Sequence, residues 1–248
     1  MTSSARPATL VTGGSRGIGA AIARRLASCG HDLVLTYRQR RDEAEVVASE
    51  CRQLGVETMV LQAELADVDR AADLVPKAVD GLGRLTGLVN NAGITGRIGP
   101  FLETTTEESE LVFRINVLAP LAITRAAVEH FRTHGGGAIV NISSGAATTG
   151  APHTYIPYAM SKAALNLLTV GVAKEFAADG IRVNTVSPGT TFTEIHAAAG
   201  RPDAPRERAP GLPMHRAAHP DEIVGAVAYL LSDDASYTNG AEIRITGG

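Results

Sequence analysis

Thr12-Gly13-Gly14-Ser15-Arg16-Gly17-Ile18-Gly19 separates a short β-rich run, Thr9–Val11, from an amphipathic helical stretch that starts at Gly17. Glycines at these positions let the chain turn tightly between strand and helix. Their bare backbone also lets amide N–H groups approach an anion at the positive end of the helix. A strand, a glycine turn and a helix in this order open a βαβ unit. A glycine-rich turn that binds nothing is the competing reading, and the position directly after the first strand argues against it.

The rest of the chain repeats the same order. Strands are predicted at Thr9–Val11, Leu33–Thr36, Thr58–Leu61, Gly87–Val89, Ala138–Ile142, Arg182–Val186 and Glu242–Ile245. Helices are predicted at Gly17–Cys29, Asp42–Leu54, Val68–Leu82, Glu107–Thr133, Tyr158–Ala178 and Asp221–Leu231. Regular β-α alternation predicts an α/β fold, a doubly wound sandwich with a seven-stranded parallel sheet and helices on both faces. Several strands are near-continuous apolar runs, as strands buried on both faces are. No repeat, charge block or low-complexity linker divides the 248 residues, so a single domain over 1–248 is expected. The exception to the periodicity is Pro188 to Pro220, rich in Pro, Gly, Ala, Arg and His. A connection that long inside a compact domain reads as a lid or binding loop, here about 190–219.

Composition narrows the function classes. Lys plus Arg is 23 and Asp plus Glu is 26, a net charge of −3, which gives no reason to expect a nucleic-acid or membrane partner. The two cysteines, Cys29 and Cys51, show no metal-type spacing, and both are expected to be buried structural thiols in helices. Met1 to Ala8 is short and polar and is not expected to be a signal peptide. No apolar run is expected to reach the roughly 20 residues of a spanning helix. A soluble, cytoplasmic protein without a metal is the expectation.

The end of the second strand bears on which dinucleotide would fit the glycine turn. An acid there accepts from a ribose 2′-hydroxyl, whereas a basic site takes a 2′-phosphate. Thr36-Tyr37-Arg38-Gln39-Arg40-Arg41 has no acid until Asp42. Arg38 with Arg16 could clamp a phosphate from two sides, which favours NADP(H) over NAD(H). The bland alternative is that these arginines merely solvate a loop.

Tyr158 and Lys162 stand four residues apart, a spacing that makes them neighbours on a helix face. A fixed positive charge favours a phenolate and draws its pKa toward the working range. Alone, such a pair is commonly a coincidence on a solvated helix. Here it shares the chain with a nucleotide turn, Asn90-Asn91-Ala92-Gly93, Asn116 and Ser143-Ser144.

The glycine turn is T-G-x-x-x-G-x-G rather than G-x-G-x-x-G, and the chain resembles the short-chain dehydrogenase/reductases over nearly its whole length. The resemblance is closest to the compact 3-oxoacyl reductase and glucose dehydrogenase branch. It implies an enzyme that moves hydride between NADP(H) and a carbonyl or secondary alcohol. The implied catalytic set is Asn116, Ser144, Tyr158 and Lys162. The implied cofactor contacts are Gly13, Ser15, Arg16, Gly17, Ile18 and Gly19 in the turn, and Tyr37 and Arg38 after the second strand. Glu64 and Leu65 follow after the third strand, where the family often has Asp, with the acid reaching the adenine amine. Asn91, Ala92 and Gly93 follow the fourth strand. Tyr158 and Lys162 flank the nicotinamide ribose. Pro188, Gly189, Thr191 and Thr193 come after the sixth strand. Tyr158 would donate the proton, Ser144 would place the substrate oxygen, Lys162 would lower the tyrosine's pKa, and Asn116 would join the lysine to solvent through water.

Ser144 lies fourteen residues before Tyr158, where many family members have thirteen. A one-residue insertion around His153-Thr154-Tyr155-Ile156-Pro157 keeps Ser144 catalytic; Ser143 is the other choice. Reduction of a ketone is the leading activity. Alcohol or sugar oxidation and a catalytically silent dinucleotide sensor are the alternatives, and enoyl reduction is disfavoured by the narrow Tyr–Lys spacing. Asp179 stands where carrier-dependent ketoreductases often place a basic residue, which speaks against carrier-protein docking, although Arg132 and His134 could form a basic rim. His196, Arg201, Arg206, Arg208 and His215 in the loop fit either a polar or anionic substrate or a solvated lid. Phe101, Phe192 and Met214 are candidate apolar contacts. A homotetramer or dimer is implied by the resemblance, through the helices of Asn116 and Tyr158 and through Asp221 to Ile245.

Overall fold

The computed structural model describes residues 6–248, so the N-terminal expectation for Met1 to Ala5 lies outside the described residues. Seven strands form one sheet in the order β3-β2-β1-β4-β5-β6-β7. They are β1 Ala8–Val11, β2 Asp32–Tyr37, β3 Thr58–Gln62, β4 Gly87–Asn90, β5 Gly137–Ile142, β6 Ile181–Pro188 and β7 Glu242–Ile245. Every pairing is parallel, so all strand C-terminal ends face one edge. The order reverses between β1 and β4, the switch point outside which such sheets bind ligands. The β-α pattern thus yields the doubly wound Rossmann-type sandwich it predicts.

Helices α1 Gly17–Ser28 and α2 Arg41–Gln53 cover one face together with the last helix, Val224–Leu231. Their Ile22, Leu26, Val47, Cys51, Val227 and Leu230 form one core layer. The other face is covered by α3 Leu74–Leu82, α4 Thr106–Phe113, α5 Ala119–Thr133 and α6 Ile156–Glu175, which makes Val224–Leu231 α7. Leu74, Ala78, Ile123, Ala127 and the fully buried Phe131 fill that layer. Each such large side chain contributes roughly 1.5–3 kcal/mol by leaving water.

Four local expectations are corrected. The stretch 68–82 is not one helix: a single turn, Val68–Ala71, is capped by Asp67, and α3 starts afresh at Leu74. Pro76 has no N–H to give to the turn before it, so the helix can hold it only in a first turn. The stretch 107–133 changes to a π-helical turn at Arg114–Leu118 before continuing as α5. The whole helix Thr106–Thr133 is long and apolar enough by length and composition to cross a membrane, contrary to the sequence reading. Half of its apolar window is buried inside the fold, because its apolar side chains face the sheet. Finally, Cys51 is buried, with its thiol pushed up to about 11 by desolvation, but Cys29 is exposed where α1 ends.

Candidate active site

The glycine turn is fixed by the strands around it. Gly13 N donates to Thr36 Oγ1 at 3.0 Å and Gly14 N to Thr36 O at 2.9 Å. Asn91 Nδ2 donates to Thr12 O at 2.9 Å and Gly13 O at 3.1 Å, and the Thr12 hydroxyl accepts from the backbone of Asn91 and Ala92. Gly13 and Gly17 adopt φ of 66° and 54°, the left-handed region open to glycine. A Cβ on Gly19 would lie 2.1 Å from Gly13 O, so only glycine fits where helix and turn meet. The first turn of α1 holds no acid and receives no side-chain cap, which leaves its N–H groups free for an anion. Ile18 packs into the core, so its contribution to such a site would be its backbone. Ser15 is half-buried on the same turn. These features fit a dinucleotide diphosphate.

The adenosine side is less complete than the sequence suggests. Arg38 is exposed, and its Nε lies 3.3 Å from Glu64 Oε2, so the expected clamp arginine is paired with the expected adenine acid. Arg16 is exposed and has no carboxylate partner among the described residues. Leu65 and Tyr37 are buried. A cavity of about 700 Å³ opens beside them, lined by Arg38, Gln62, Glu64, Asp67, Arg70 and Lys77 among others. It flanks the ends of β2 and β3 rather than Tyr158.

At the other half of the sheet edge the four implied catalytic residues converge. Tyr158 and Lys162 lie on α6, both buried, with Lys162 Nζ 5.7 Å from the tyrosine ring centre. Lys162 Nζ donates to Ile142 O at 2.8 Å, which aims it at the end of β5. Asn116 sits in the π-helical turn, a distortion that often re-aims a side chain at a functional site. It is fully buried, accepts from Ile94 N at 2.9 Å, and donates to Ile94 O at 2.8 Å and Ser161 Oγ at 3.0 Å. Gly93 lies between it and the lysine: a Cβ there would stand 3.1 Å from Asn116 Oδ1 and 3.4 Å from Lys162 Nζ.

The two serines differ in their surroundings. Ser143 is buried and donates to Lys162 O at 3.1 Å, which occupies its hydroxyl in joining β5 to α6. Ser144 is half-buried, accepts from Ala146 N at 3.1 Å, and lies beside the Tyr158 phenol. The loop between them and α6 contains two non-glycine residues in the left-handed region, Ala151 at φ 45° and His153 at φ 60°. Such conformations are uncommon and mark a crowded turn.

The electrostatics depart from the simple pair picture. Burial pushes the Tyr158 phenol well above its usual value, the Ser144 hydroxyl pulls it back, and Tyr155 adds a further rise. Burial also lowers Lys162 from 10.5 to about 8. Desolvation therefore sets the direction for both groups, and Lys162 is not among the causes of the Tyr158 shift.

After β6, Gly145 N donates to Pro188 O and Gly189 N to Ile245 O, each at 2.8 Å. The Thr191 side chain turns back to Gly189 O at 3.1 Å. Thr193 and Glu194 lie against Gly17, with Thr193 Cβ 3.4 Å from where a Cβ there would stand. The loop ends are tied together: Phe192 N donates to Ala218 O and Ala218 N to Thr190 O, both at 2.9 Å. Two short helices, Ile195–Ala198 and Ala204–Arg208, lie between these ties. Phe101 and Met214 are exposed, while Phe192 packs against His219 at 5.3 Å between ring centres. Sequence reasoning overlooked Tyr155, which is buried edge-on to Tyr158 at 5.1 Å. Its only signal was its place in the inserted loop.

Comparison with known proteins agrees with this geometry. The family model described as enoyl-(acyl carrier protein) reductase matches residues 13–248. The uncharacterized oxidoreductase YgfF of Escherichia coli is 39% identical over 242 residues, 96% of this chain and 98% of that protein. The 3-oxoacyl-[acyl-carrier-protein] reductase FabG of Staphylococcus aureus is 34% identical over 239 residues, 96% of each chain. A short chain dehydrogenase from Burkholderia cenocepacia, solved in complex with NADP, superposes with a TM-score of 0.88 at 35% identity, covering 98% of this chain and 97% of that one.

Proposed function

The chain belongs to the short-chain dehydrogenase/reductase family, an oxidoreductase family, and on that footing we propose that it reduces a ketone with NADPH. The observation that carries this reading is the convergence of Asn116, Ser144, Tyr158 and Lys162 at one edge of the sheet. When bound, the dihydronicotinamide supplies hydride. Tyr158 Oη gives its proton to the substrate oxygen as negative charge grows there. Ser144 donates a hydrogen bond to the same oxygen and places it. The Lys162 ammonium stabilises the phenolate that remains. Asn116 anchors the backbone at Ile94 beside the lysine, on the side through which a proton would be replaced. Pro188, Gly189, Thr191 and Thr193 would line the nicotinamide half, and Gly13, Ser15, Arg16, Gly17, Ile18 and Gly19 the diphosphate. Asn91, Ala92 and Gly93 would line the middle, and Tyr37, Arg38, Glu64 and Leu65 the adenosine end.

The matching family model carries an enoyl reductase description, but the narrow Tyr158–Lys162 spacing and the similarity to FabG favour a carbonyl substrate. Carrier-protein docking is not part of this reading. Arg132, a candidate for a basic rim, is paired with Asp179 at 3.4 Å and lies over the Phe176 ring.

NADPH is preferred in this proposal because Arg38 follows β2 directly, the run Thr36 to Arg41 carries no acid, and Arg16 in the glycine turn is exposed. Opening the Arg38–Glu64 pair would free a guanidinium for a 2′-phosphate. A hydrogen bond to a charged group is worth ~1.5–3 kcal/mol, so kcat/KM with NADPH should exceed that with NADH by at least ~10-fold. Arg38→Ala should erase most of that ratio. A parent enzyme that prefers NADH would overturn the cofactor assignment while leaving the ketone reading intact.

A homotetramer or dimer is also proposed. Leu111, Leu118, Leu121, Met160 and Leu167, on the helices around Asn116 and Tyr158, are large apolar side chains exposed on one protomer. Light scattering should give two or four times 25.8 kDa; a mass of one chain would rule the assembly out.

A further inference from the structure

The loop between Pro188 and Pro220 carries four arginines, and three of them are neutralised at the surface. Arg201 pairs with Glu207 at 2.6 Å, Arg206 with Asp203 at 3.5 Å, and Arg216 with Glu222 at 2.6 Å. Arg208 has no carboxylate partner among the described residues. It turns inward, half-buried, and its Nη1 donates to Tyr155 Oη at 2.7 Å. The guanidinium carbon lies 5.2 Å from the centre of the Tyr155 ring, which stands edge-on to Tyr158. One aromatic ring therefore separates an uncompensated cation from the phenol that would donate the proton.

A second group beside it lacks a partner. His196 is 7% exposed, and its Nδ1 is buried without a hydrogen bond among the described residues. Burial, then the nearby charge of Arg208, lowers its pKa, so at neutral pH the ring is uncharged and keeps one N–H to give. Buried polar atoms are nearly always satisfied, and an orphaned one beside an unpaired guanidinium points to a ligand that would serve both. A guanidinium without a counter-charge and an orphaned imidazole in one loop are both completed by an anion. A carboxylate suits them, since guanidinium offers it two parallel N–H groups and the imidazole a third.

We propose that Arg208, assisted by His196, binds a carboxylate of the substrate, so that the substrate is an oxo acid whose carbonyl reaches Tyr158 while its acid group rests beyond Tyr155. This rests on the ketone-reducing reading above. Arg208 would select the substrate, and Tyr155 would position Arg208.

The test pairs each oxo acid from 2-oxo to 6-oxo with its methyl ester. Binding of both to the NADP-loaded enzyme is measured by calorimetry, and kcat and KM are measured with NADPH. At one chain length or more the acid should bind ~10–100-fold more tightly than its ester, the scale of charge-assisted hydrogen bonds. Arg208→Gln should bring the acid-to-ester ratio close to one, mainly through KM, and Arg208→Lys should keep part of it. Equal binding of acids and esters throughout the series would overturn the inference, as would an Arg208→Gln enzyme with an undiminished ratio. Ester reduction without acid preference removes the anion site and spares ketone reduction. Acid-selective binding without reduction of any ketone keeps the anion site and removes the ketone reading.

Discussion

Tyr158→Phe is expected to lose turnover by ~10²- to 10⁴-fold, the range for a general acid, while NADPH binding stays within a few-fold of the parent. The substitution keeps the ring, its burial and its edge contact with Tyr155, and removes only the proton and its oxygen. Burial raises the pKa of the phenol, which makes it a weaker acid at rest, so donation depends on the Lys162 ammonium stabilising the phenolate that forms. Near-normal turnover of the phenylalanine enzyme would remove Tyr158 from the chemistry. The pH profile adds a second reading of the same site. Lys162, lowered to about 8, is an ammonium below that pH and neutral above it. The kcat/KM for reduction should hold below about pH 8 and fall above it, as the charge that supports the developing phenolate disappears. Stability moves the other way. Because the folded pKa lies below the unfolded 10.5, burying the ammonium penalises the fold below about pH 8, and that penalty is relieved as pH rises from about 8 toward 10.5.

Gly19→Ala carries the second large effect, on folding and cofactor affinity together. The added carbon would meet Gly13 O at 2.1 Å and Asn91 Nδ2 at 2.5 Å. Neither neighbour is free to retreat. Gly13 is held by Thr36 through its N–H and by Asn91 through its carbonyl, and Asn91 in turn grips Thr12. Overpacking against such fixed backbone costs ~1–3 kcal/mol or more. At ~2–4 °C per kcal/mol for a domain of this size, the melting temperature should fall by roughly 2–12 °C. NADPH affinity should fall at least ~10-fold, because relief of the clash must tilt α1 or open the turn that faces the diphosphate. Thermal melts and NADPH fluorescence titration read the two losses separately. An alanine variant that melts and binds like the parent would mean that the turn is not held as described.

The fold was legible because its signals are local and repeated. Short β-rich runs marked all seven strands, and their alternation with helical stretches left few alternatives to a parallel sheet. What escaped depended on chemistry within an element or on contacts across the chain. Pro76 broke a helix that reads as continuous by periodicity, and a π-helical turn around Asn116 leaves no mark in a pattern of period 3.6. Tyr158 and Lys162 were visible as a spaced pair, yet the direction of the tyrosine's shift was not, since burial depends on what packs around the ring. Adjacent serines look alike in sequence; only the structure shows that the Ser143 hydroxyl is given to Lys162 O while Ser144 lies by the phenol, which supports Ser144. Arg208 looked like any other loop arginine until its neighbours were seen to be paired and it was not.

The stitched base of the loop has a consequence for how this molecule can change over generations. Thr190, Phe192 and Ala218 hold the entry and exit of the excursion side by side, next to the strand that ends at Pro188. Between them the excursion is held again at Arg208, whose Nη1 donates to Tyr155 Oη at 2.7 Å, and at Met214, whose N donates to Gly247 O at 3.1 Å. Lengthening such a closed excursion is cheap, roughly 0.6 kcal/mol for each doubling, and need not disturb the sheet. Length can therefore be added between these ties, on either side of the helix that bears Arg208, without moving the strand ends. On the proposed reading, such a change would alter what reaches Arg208 while Tyr158 and the glycine turn, which lie outside the excursion, keep their places.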